Sequence, residues 1–277
     1  MEIGLVTASF VAREGGYAME PFMWGKAERR TREAFSGENF TEQFTELMEH
    51  IHGLGYRNVE IWNPHLPVTL SPSQVETAKD ILESLGMHAV SYYFSVGGDM
   101  SDEFVESGFR TAKALGVDFI VGVLDGRQRH LAKRLCHRFE MKMALENHSE
   151  KTARELIDAI GSDGDCFGIT CDTGWWGTYE TDAVAAVREL APYLLHMHLK
   201  DVKEAGKHDS CRFLAGVVPV DDVVRELVSQ GYQGCIGIEH EPEHFDPSED
   251  LEASRILVES WLQGNFGGET SFVNRQR

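Results

Sequence analysis

Hydrophobic and polar positions along the chain follow two alternating periodicities. Short runs rich in β-branched and apolar residues are each followed by a longer stretch with apolar residues at helical spacing. The short runs predict eight strands, at residues 3–7, 58–62, 88–93, 119–123, 142–146, 167–172, 194–199 and 235–239. The longer stretches predict eight helices, at residues 40–54, 71–85, 101–115, 130–139, 152–160, 181–190, 221–230 and 250–262.

The number of strand–helix units indicates the fold class. Several predicted helices are followed by a glycine that suits a left-handed C-cap. These are Gly55, Gly86, Gly116, Gly161 and Gly231. Eight such units in one domain of about 250 residues are typical of a (β/α)8 TIM barrel, with a doubly wound open sheet as the alternative. We therefore expect an α/β barrel and a single domain over residues 1–277.

Two segments interrupt the regular spacing. Residues 10–39, between the first strand and the first helix, contain aromatic side chains and a basic cluster. Loops of this length are usually functional or disordered. We expect an active-site lid or a subunit contact, with a variable surface excursion as the alternative. Residues 201–219 follow the seventh strand, where a barrel places specificity loops.

Composition and charge narrow the class of protein. Hydrophobic residues make up 42% and charged residues 26%, as in globular proteins. Lysine plus arginine minus aspartate plus glutamate gives 26 − 45 = −19, which disfavours nucleic acid and anionic membranes as partners. Without a long apolar run or a secretion signal, we expect a cytoplasmic protein. The five scattered cysteines lack a Cys-x-x-Cys pair, which favours buried reduced thiols over disulfides or a thiolate zinc site.

Candidate catalytic and metal-binding residues lie at the ends of the last four predicted strands. Glu146 ends the fifth, Asp172 the sixth and Glu239 the eighth, while the seventh carries His198. Reactive groups of barrel enzymes lie at these carboxyl ends. Three carboxylates at one point repel each other unless a cation lies between them, and their oxygens with one imidazole suit Mn²⁺ better than a strict four-ligand zinc site. The alternatives are structural ion pairs, and a core role for either His198 or His196, which shares its strand face.

These residues resemble a known superfamily. Glu146, the Asp-Thr-Gly turn at 172–174, the His-Leu-Lys-Asp segment at 198–201 and the approach to Glu239 are similar to the xylose-isomerase-like sugar isomerases and epimerases. The resemblance covers nearly the whole chain. It implies that Glu146, Asp172, His198 and Glu239 bind a divalent metal, Mn²⁺ before Mg²⁺, Co²⁺ or Zn²⁺. It also implies that Glu146 and Glu239 move the proton on opposite sides of the substrate carbon.

The chain departs from the ketose epimerase branch at three places. Trp175 and Trp176 stand where that branch has an imidazole, and residues 203–205 stand where it has an arginine after the strand-seven histidine. Residues 214–219 replace its glycine-rich turn before the seventh helix. His148, two residues after Glu146, is either a catalytic general base or a rim residue.

Several residues are candidates for substrate binding. Aromatic residues are frequent at the predicted mouth, where they can stack on a sugar or an aromatic aglycone or pack the loops. We expect substrate contacts from Trp62, Trp175, Trp176, Lys200 and His240. No glycine-rich phosphate cradle is present in the sequence, which favours an unphosphorylated substrate.

The resulting hypothesis is a metal-dependent enzyme that removes a proton next to the carbonyl of a sugar or keto-sugar, giving isomerisation or epimerisation. The alternative is a lyase: the barrel resembles the subunit of C-glycoside deglycosidases that eliminates an aglycone from a 3-keto glycoside, or an inosose-type dehydratase. We expect a carbohydrate or glycoside substrate and an oligomer, with a small β subunit in the deglycosidase case. The net charge disfavours the apurinic endonuclease branch, and the intact set of four ligands disfavours a degenerate scaffold.

Overall fold

The computed structural model describes residues 1–266, in which eight parallel strands form a closed barrel. The barrel strands are β1 (Glu2–Val6), β2 (Asn58–Trp62), β3 (His88–Tyr93), β4 (Phe119–Gly122), β5 (Lys142–Glu146), β6 (Phe167–Asp172), β7 (Leu194–Leu199) and β10 (Cys235–Ile238). A short antiparallel pair, β8 (Asp201–Val202) and β9 (Ser210–Cys211), lies between β7 and β10 in the chain. Because β1 pairs with β10, with Glu2 opposite Cys235, the sheet has no edge. The predicted (β/α)8 barrel is therefore confirmed, and an open sheet is excluded.

Helices surround the barrel. They are α1 (Trp24–Ala34), α2 (Phe40–Gly53), α3 (Pro72–Ser84), α4 (Asp102–Leu115), α5 (Arg129–Phe139), α6 (Ala153–Ile160), α7 (Thr173–Tyr179), α8 (Ala183–Leu190), α9 (Val220–Ser229) and α10 (Ser248–Leu262). All eight predicted helices are present with ends within two residues of the prediction. Local sequence sets several of these ends: Ser71 and Thr152 form capping boxes, and Gly116 adopts a left-handed conformation after α4.

The hydrophobic core lies between the outer face of the strands and the inner faces of the helices. On α2, the buried side chains Phe44, Leu47, Met48 and Ile51 recur at intervals of three and four residues. This is the spacing of one helix face, and burial of each such side chain contributes about 1.5–3 kcal/mol. The same pattern that made the helix predictable therefore attaches it to the barrel.

Residues 10–39, predicted as a long connection between the first strand and the first helix, carry secondary structure that the sequence did not predict. The segment contains the eleven-residue helix α1 and two short 3-10 helices, Arg13–Gly15 and Gly37–Asn39. The buried face of α1 carries the small residues Ala27 and Thr31, so its sequence lacks the row of large apolar residues by which the other helices were predicted. The role of this segment as a lid or a subunit contact stays a prediction.

Two further elements had no sequence signal. Helix α7 follows β6 without an intervening loop, and its sequence is rich in glycine and tryptophan. The β8–β9 pair lies in the segment predicted as a specificity loop. All five cysteines are buried and free, as predicted. Within residues 1–266, each helix is too short or too polar to cross a membrane.

Candidate active site

Four ionisable side chains from four strands converge at the carboxyl end of the barrel. Glu146 ends β5 and Asp172 ends β6, His198 lies one residue before the end of β7, and Glu239 directly follows β10. Each offers one ligand atom, and these atoms all lie within 4.8 Å of one another. All four residues are buried. The structure thus brings together the residues that the sequence indicated as a metal centre.

The imidazole of His198 is held between carboxylates on both of its nitrogens. Its Nδ1 lies 2.6 Å from Glu146 Oε1 and 3.5 Å from Glu239 Oε2. Its Nε2 lies 2.9 Å from Oε1 of Glu60, which is the middle residue of β2. A carboxylate on the outer nitrogen of a ligating histidine fixes the ring and its tautomer. Sequence analysis missed Glu60, although a charged residue in the middle of an apolar strand was a usable signal.

His196 lies beneath His198 in the barrel interior. It is fully buried, and its Nε2 lies 3.4 Å from Glu60 Oε2. Burial lowers the pKa of His196 to about 4, so the ring is neutral at physiological pH. Of the two histidines on this strand face, His198 is the one within reach of the other three candidate ligands.

A pair of hydrogen bonds fixes β5 against β6 at the site. Asn147 Nδ2 donates to the carbonyl oxygen of Asp172 at 2.8 Å, and the Asp172 backbone N–H donates to Asn147 Oδ1 at 2.8 Å. Asp172 Oδ1 also accepts from the backbone N–H of Gly174 at 2.6 Å, which caps α7. Asn147 therefore sets the relative position of the Glu146 and Asp172 carboxylates, a role that the sequence did not reveal.

Lys200 places a buried ammonium group beside the carboxylates. Its Nζ hydrogen-bonds to Glu241 and lies 3.4 Å from Glu239 Oε2 and 3.8 Å from Asp172 Oδ2. A Cβ atom at Gly174 would lie 2.6 Å from Lys200 Cδ. A side chain at position 174 would therefore displace the lysine from the site.

The environment shifts the pKa values of the clustered carboxyls in opposite directions. Burial raises the pKa of Asp172 and of Glu239. Burial has the same tendency at Glu146, but His148 and His198 outweigh it and lower the Glu146 pKa to about 2. Such divergence between neighbouring carboxyls is typical of acid–base sites.

A cavity of about 600 Å³ opens above the four residues. Its lining is strongly acidic, with carboxylates from Glu28, Glu146, Asp172, Asp209, Glu239, Glu241 and Glu243. Among the lining residues, all of which belong to the described part of the chain, Lys200 alone carries a fixed positive charge. The field in the cavity therefore favours cations and neutral molecules over anions.

Aromatic side chains also line this cavity. Trp62 and Trp175, both predicted to contact substrate, line it together with Trp24 and Tyr93. The Trp24 and Trp62 rings meet edge to face, with their centroids 6.2 Å apart, and Trp175 stacks on His208 with a centroid distance of 3.7 Å. The Tyr93 hydroxyl donates to Glu146 Oε2 at 2.8 Å.

Trp176 and His240 lie outside the cavity, contrary to the expectation of substrate contacts. Trp176 follows Trp175 on α7, and the rotation of about 100° per helical residue turns it into the core, where it is fully buried. His240 Nδ1 lies 2.9 Å from Ser210 Oγ, and its Nε2 lies 3.3 Å from Asp250 Oδ2. Trp176 thus belongs to the hydrophobic core, and His240 links the end of β10 to β9 and α10.

His148 lies at the cavity wall beside Glu146. Its Nδ1 is 3.3 Å from Glu146 Oε2, and 36% of its side chain is exposed. The Tyr179 hydroxyl donates to the His148 carbonyl oxygen at 2.8 Å. The ring is within reach of a bound molecule, and its catalytic role stays a prediction.

The donor set fits a divalent cation that prefers oxygen and nitrogen. A buried carboxylate oxygen is costly unless positive charge compensates it. Glu239 Oε2 has no hydrogen-bond partner, and the ammonium of Lys200, 3.4 Å away, is hydrogen-bonded to Glu241 instead. Glu239 Oε2 faces the Nδ1 side of His198, whose other nitrogen Glu60 holds. Three carboxylates and one oriented imidazole suit Mn²⁺ or Mg²⁺ with further oxygen ligands.

Comparison with known proteins assigns the chain to a family. The family model of the xylose isomerase-like TIM barrel matches residues 48–260, which include all four candidate ligands. The chain belongs to the xylose isomerase-like TIM barrel family. The resemblance noted from the sequence is thereby confirmed. Among curated proteins, no sequence matches significantly.

Solved structures with the same fold are distant in sequence. An L-ribulose 3-epimerase superposes with a TM-score of 0.72 at 13% identity, over 96% of this chain and 96% of that chain. A 3-keto-D-glucoside 4-epimerase from E. coli gives 0.62 at 15% identity, over 81% and 97%. A xylose isomerase-like TIM barrel protein from Mycobacterium smegmatis in complex with magnesium gives 0.67 at 14% identity, over 82% and 90%. At these identities, the similarity supports the shared fold.

Proposed function

We propose that this protein is a divalent-metal-dependent enzyme that removes the proton α to the carbonyl of an unphosphorylated sugar or keto-sugar and returns a proton to give an isomer or epimer. The observation that carries the proposal is the convergence of Glu146, Asp172, His198 and Glu239 within 4.8 Å at the carboxyl end of the barrel. Family membership supports it, as do the fold relatives whose names describe epimerases.

The four clustered residues would hold the ion. When bound, a divalent ion polarises a carbonyl oxygen and stabilises the negative charge that develops as the neighbouring C–H proton leaves. Glu60 and Asn147 keep the imidazole and the Asp172 backbone in place before a substrate arrives.

Two carboxyls are suited to opposite proton-transfer roles. The lowered pKa of Glu146 keeps it ionised, whereas burial raises the pKa of Glu239 and makes its carboxylate the more basic of the two. They extend from β5 and from the end of β10, on either side of His198 and Asp172 in the order of strands around the barrel. His148 is a further candidate base beside Glu146.

The cavity indicates the class of substrate. Its acidic lining would repel a sugar phosphate, because Lys200 is already engaged by Glu241 and Glu239. Aromatic rings such as Trp62 and Trp175 can stack on the apolar faces of a neutral sugar. A volume of about 600 Å³ is in the usual range for small-molecule sites.

A second candidate is β-elimination from a 3-keto glycoside, which the aromatic walls favour. The Trp24–Trp62 pair and the Trp175–His208 stack could enclose an aromatic aglycone as well as a sugar. The proton α to the ketone would pass to a base such as His148. The C–H electron pair would form the new C=C bond, and the aglycone would leave with the electrons of its bond to the sugar.

One experiment separates the two candidates. The metal-loaded protein is incubated in D₂O with free ketoses and with 3-keto O- and C-glycosides, while deuterium uptake next to the carbonyl and aglycone release are followed. Exchange without release supports the isomerase or epimerase, and release supports the lyase. Activity that appears only with a second subunit would support the deglycosidase form of the lyase.

Two variants serve as controls for this assay. Glu239→Gln should lose at least a thousandfold in turnover because it removes a ligand and a proton carrier. Glu252→Gln, at an exposed position of α10, should keep full activity. Full turnover after complete chelation of metal, or in Glu239→Gln, would overturn the proposal.

A further inference from the structure

A second cluster of metal-ligating side chains lies at the opposite end of the barrel from the active site. His137 is in the last turn of α5, Asp165 lies before β6, and Cys166 immediately precedes the first residue of β6. His137 Nε2, Cys166 Sγ and an Asp165 carboxylate oxygen all lie within 4.8 Å of one another. These residues have no part in the proposed reaction.

Two of the three distances between donor atoms match those between ligands of one small ion. Cys166 Sγ lies 3.4 Å from His137 Nε2, and that nitrogen lies 3.6 Å from Asp165 Oδ2. Zn–N bonds near 2.0 Å and Zn–S bonds near 2.3 Å in a tetrahedron place neighbouring ligand atoms roughly 3.3–3.8 Å apart. The three donors could therefore bind one ion with little movement.

The surroundings also favour a cation. The cluster lines a cavity of about 490 Å³ together with the acidic residues Asp118 and Glu140. The C-terminal end of α5, where His137 lies, carries the negative end of the helix dipole. The nearby Lys142 is engaged elsewhere, since its Nζ donates to the Gly164 carbonyl oxygen at 3.0 Å.

We propose that His137, Asp165 and Cys166 form a second metal site, which takes a thiophilic divalent ion such as Zn²⁺ with water as a further ligand. A thiolate, an imidazole and a carboxylate are a donor set that zinc prefers, whereas the active-site cluster has no sulfur. The bound ion would tie the end of α5 to the start of β6. Burial raises the pKa of the Cys166 thiol, and the ion would replace its proton. This proposal departs from the expectation that the scattered cysteines favour buried reduced thiols over a thiolate zinc site.

Cobalt(II) tests the proposal without reference to activity. Added to protein freed of metal by chelation, Co²⁺ bound through Cys166 gives a thiolate-to-cobalt charge-transfer band in the near ultraviolet. The active-site cluster cannot give this band, because its ligands are oxygen and nitrogen. We expect the band in the wild-type protein, its reversal by Zn²⁺, and a rise in thermal stability with Zn²⁺.

Variants identify the ligands. Cys166→Ser should abolish the band. Because Cys166 is buried, His137→Gln and Asp165→Asn serve as variants that keep the fold: both side chains are 63% exposed, and each change should weaken Co²⁺ binding at least tenfold. Cys136→Ser is the matched control, since this neighbouring buried thiol is outside the three-residue group and the band should persist.

Two results would overturn the second site. One is the absence of a charge-transfer band in wild-type protein at saturating Co²⁺, which would leave the Cys166–His137 contact as an ordinary S–H···N hydrogen bond. The other is an unchanged band and affinity in Cys166→Ser. Neither result bears on the proposed sugar chemistry, which depends on the other end of the barrel.

Discussion

The two halves of the barrel contribute different kinds of residue to its mouth. The first half comprises β1 to β4, and the second comprises β5, β6, β7 and β10. Strands β5, β6, β7 and β10 end in the ionisable cluster Glu146, Asp172, His198 and Glu239. Strands β2 and β3 contribute aromatic rings such as Trp62 and Tyr93, and their contacts with the cluster come from a hydroxyl and from the buried carboxylate of Glu60. One half thus carries the charge, and the other half orients it.

This division has an electrostatic reason. Several carboxylates close together need positive partners, and neighbouring strands supply His198 and Lys200 within hydrogen-bonding or ion-pair distance. Residues of the first half contact the cluster only through the interior of the barrel. There, a buried carboxylate such as Glu60 is stable beside an imidazole. Changes in the first half should therefore alter metal affinity, substrate affinity or the orientation of the acid and base, while the acid and base themselves belong to the second half.

Among changes in the first half of the barrel, Glu60→Gln is expected to have the largest effect. The change keeps the shape but removes the charge that holds His198 Nε2, and loss of such an outer partner typically costs about 10–100-fold in metal affinity. Mn²⁺ titration by calorimetry measures it. Ser91→Ala, which removes the 2.6 Å hydrogen bond to Glu60 but leaves the charge, should have a smaller effect. Unaltered affinity in Glu60→Gln would show that the second half holds the ion alone.

Tyr93→Phe should lower kcat about tenfold. It removes the hydrogen bond to Glu146 Oε2, and a bond to a charged group is worth about 1.5–3 kcal/mol. Steady-state kinetics on the substrate found by the exchange assay provides the measurement. Tyr92→Phe is the matched control on the same strand, because the Tyr92 hydroxyl donates to the Leu66 carbonyl oxygen instead. Equal losses of kcat in both variants would contradict a specific role for Tyr93.

Trp24→Ala should raise KM about fivefold and leave kcat nearly unchanged. The side chain lines the cavity, is 42% exposed and lies edge to face on Trp62. An aromatic contact is worth about 1 kcal/mol, which corresponds to about this change in binding. Substrate saturation curves measure it. A fall in kcat with unchanged KM would place Trp24 in the catalytic step and break the division between the halves.

The smallest predicted effect is on the stability of the protein and concerns His65, in the first half of the barrel. Burial lowers the pKa of His65 to about 3, whereas an unfolded histidine titrates near 6.5. Between these values the unfolded chain binds the extra proton, so His65 makes the protein less stable as pH falls below about 6.5. Relative to His65→Asn, the wild-type protein should lose about 1 kcal/mol more unfolding free energy between pH 7.5 and 5.5.

Urea denaturation at the two pH values measures this difference. His88→Asn, at an exposed position, is the control and should follow the wild type. An identical pH dependence in wild type and His65→Asn would mean that the native protein takes up the proton at His65 through a local opening.

The success of sequence analysis varied with the kind of information that each residue carries. Helices such as α2 were located because large apolar residues form their buried face, whereas α1 buries the small residues Ala27 and Thr31 and was missed. The four candidate ligands were found because strand ends of a barrel face one mouth. Asn147 was not recognised, since its role depends on a backbone pairing with β6.

By itself, the sequence determined the barrel and the residues at its strand ends. The hydrophobic periodicity and the position of polar residues at strand ends are local properties that do not depend on the details of packing. Only the tertiary structure decided that Trp175 faces the cavity while Trp176 faces the core, and that Glu60 reaches His198 across the interior. It also brought His137 within 3.4 Å of Cys166, twenty-nine positions away. These outcomes depend on the direction of each side chain and on which elements pack together. Neither can be deduced from the spacing of residues along the chain.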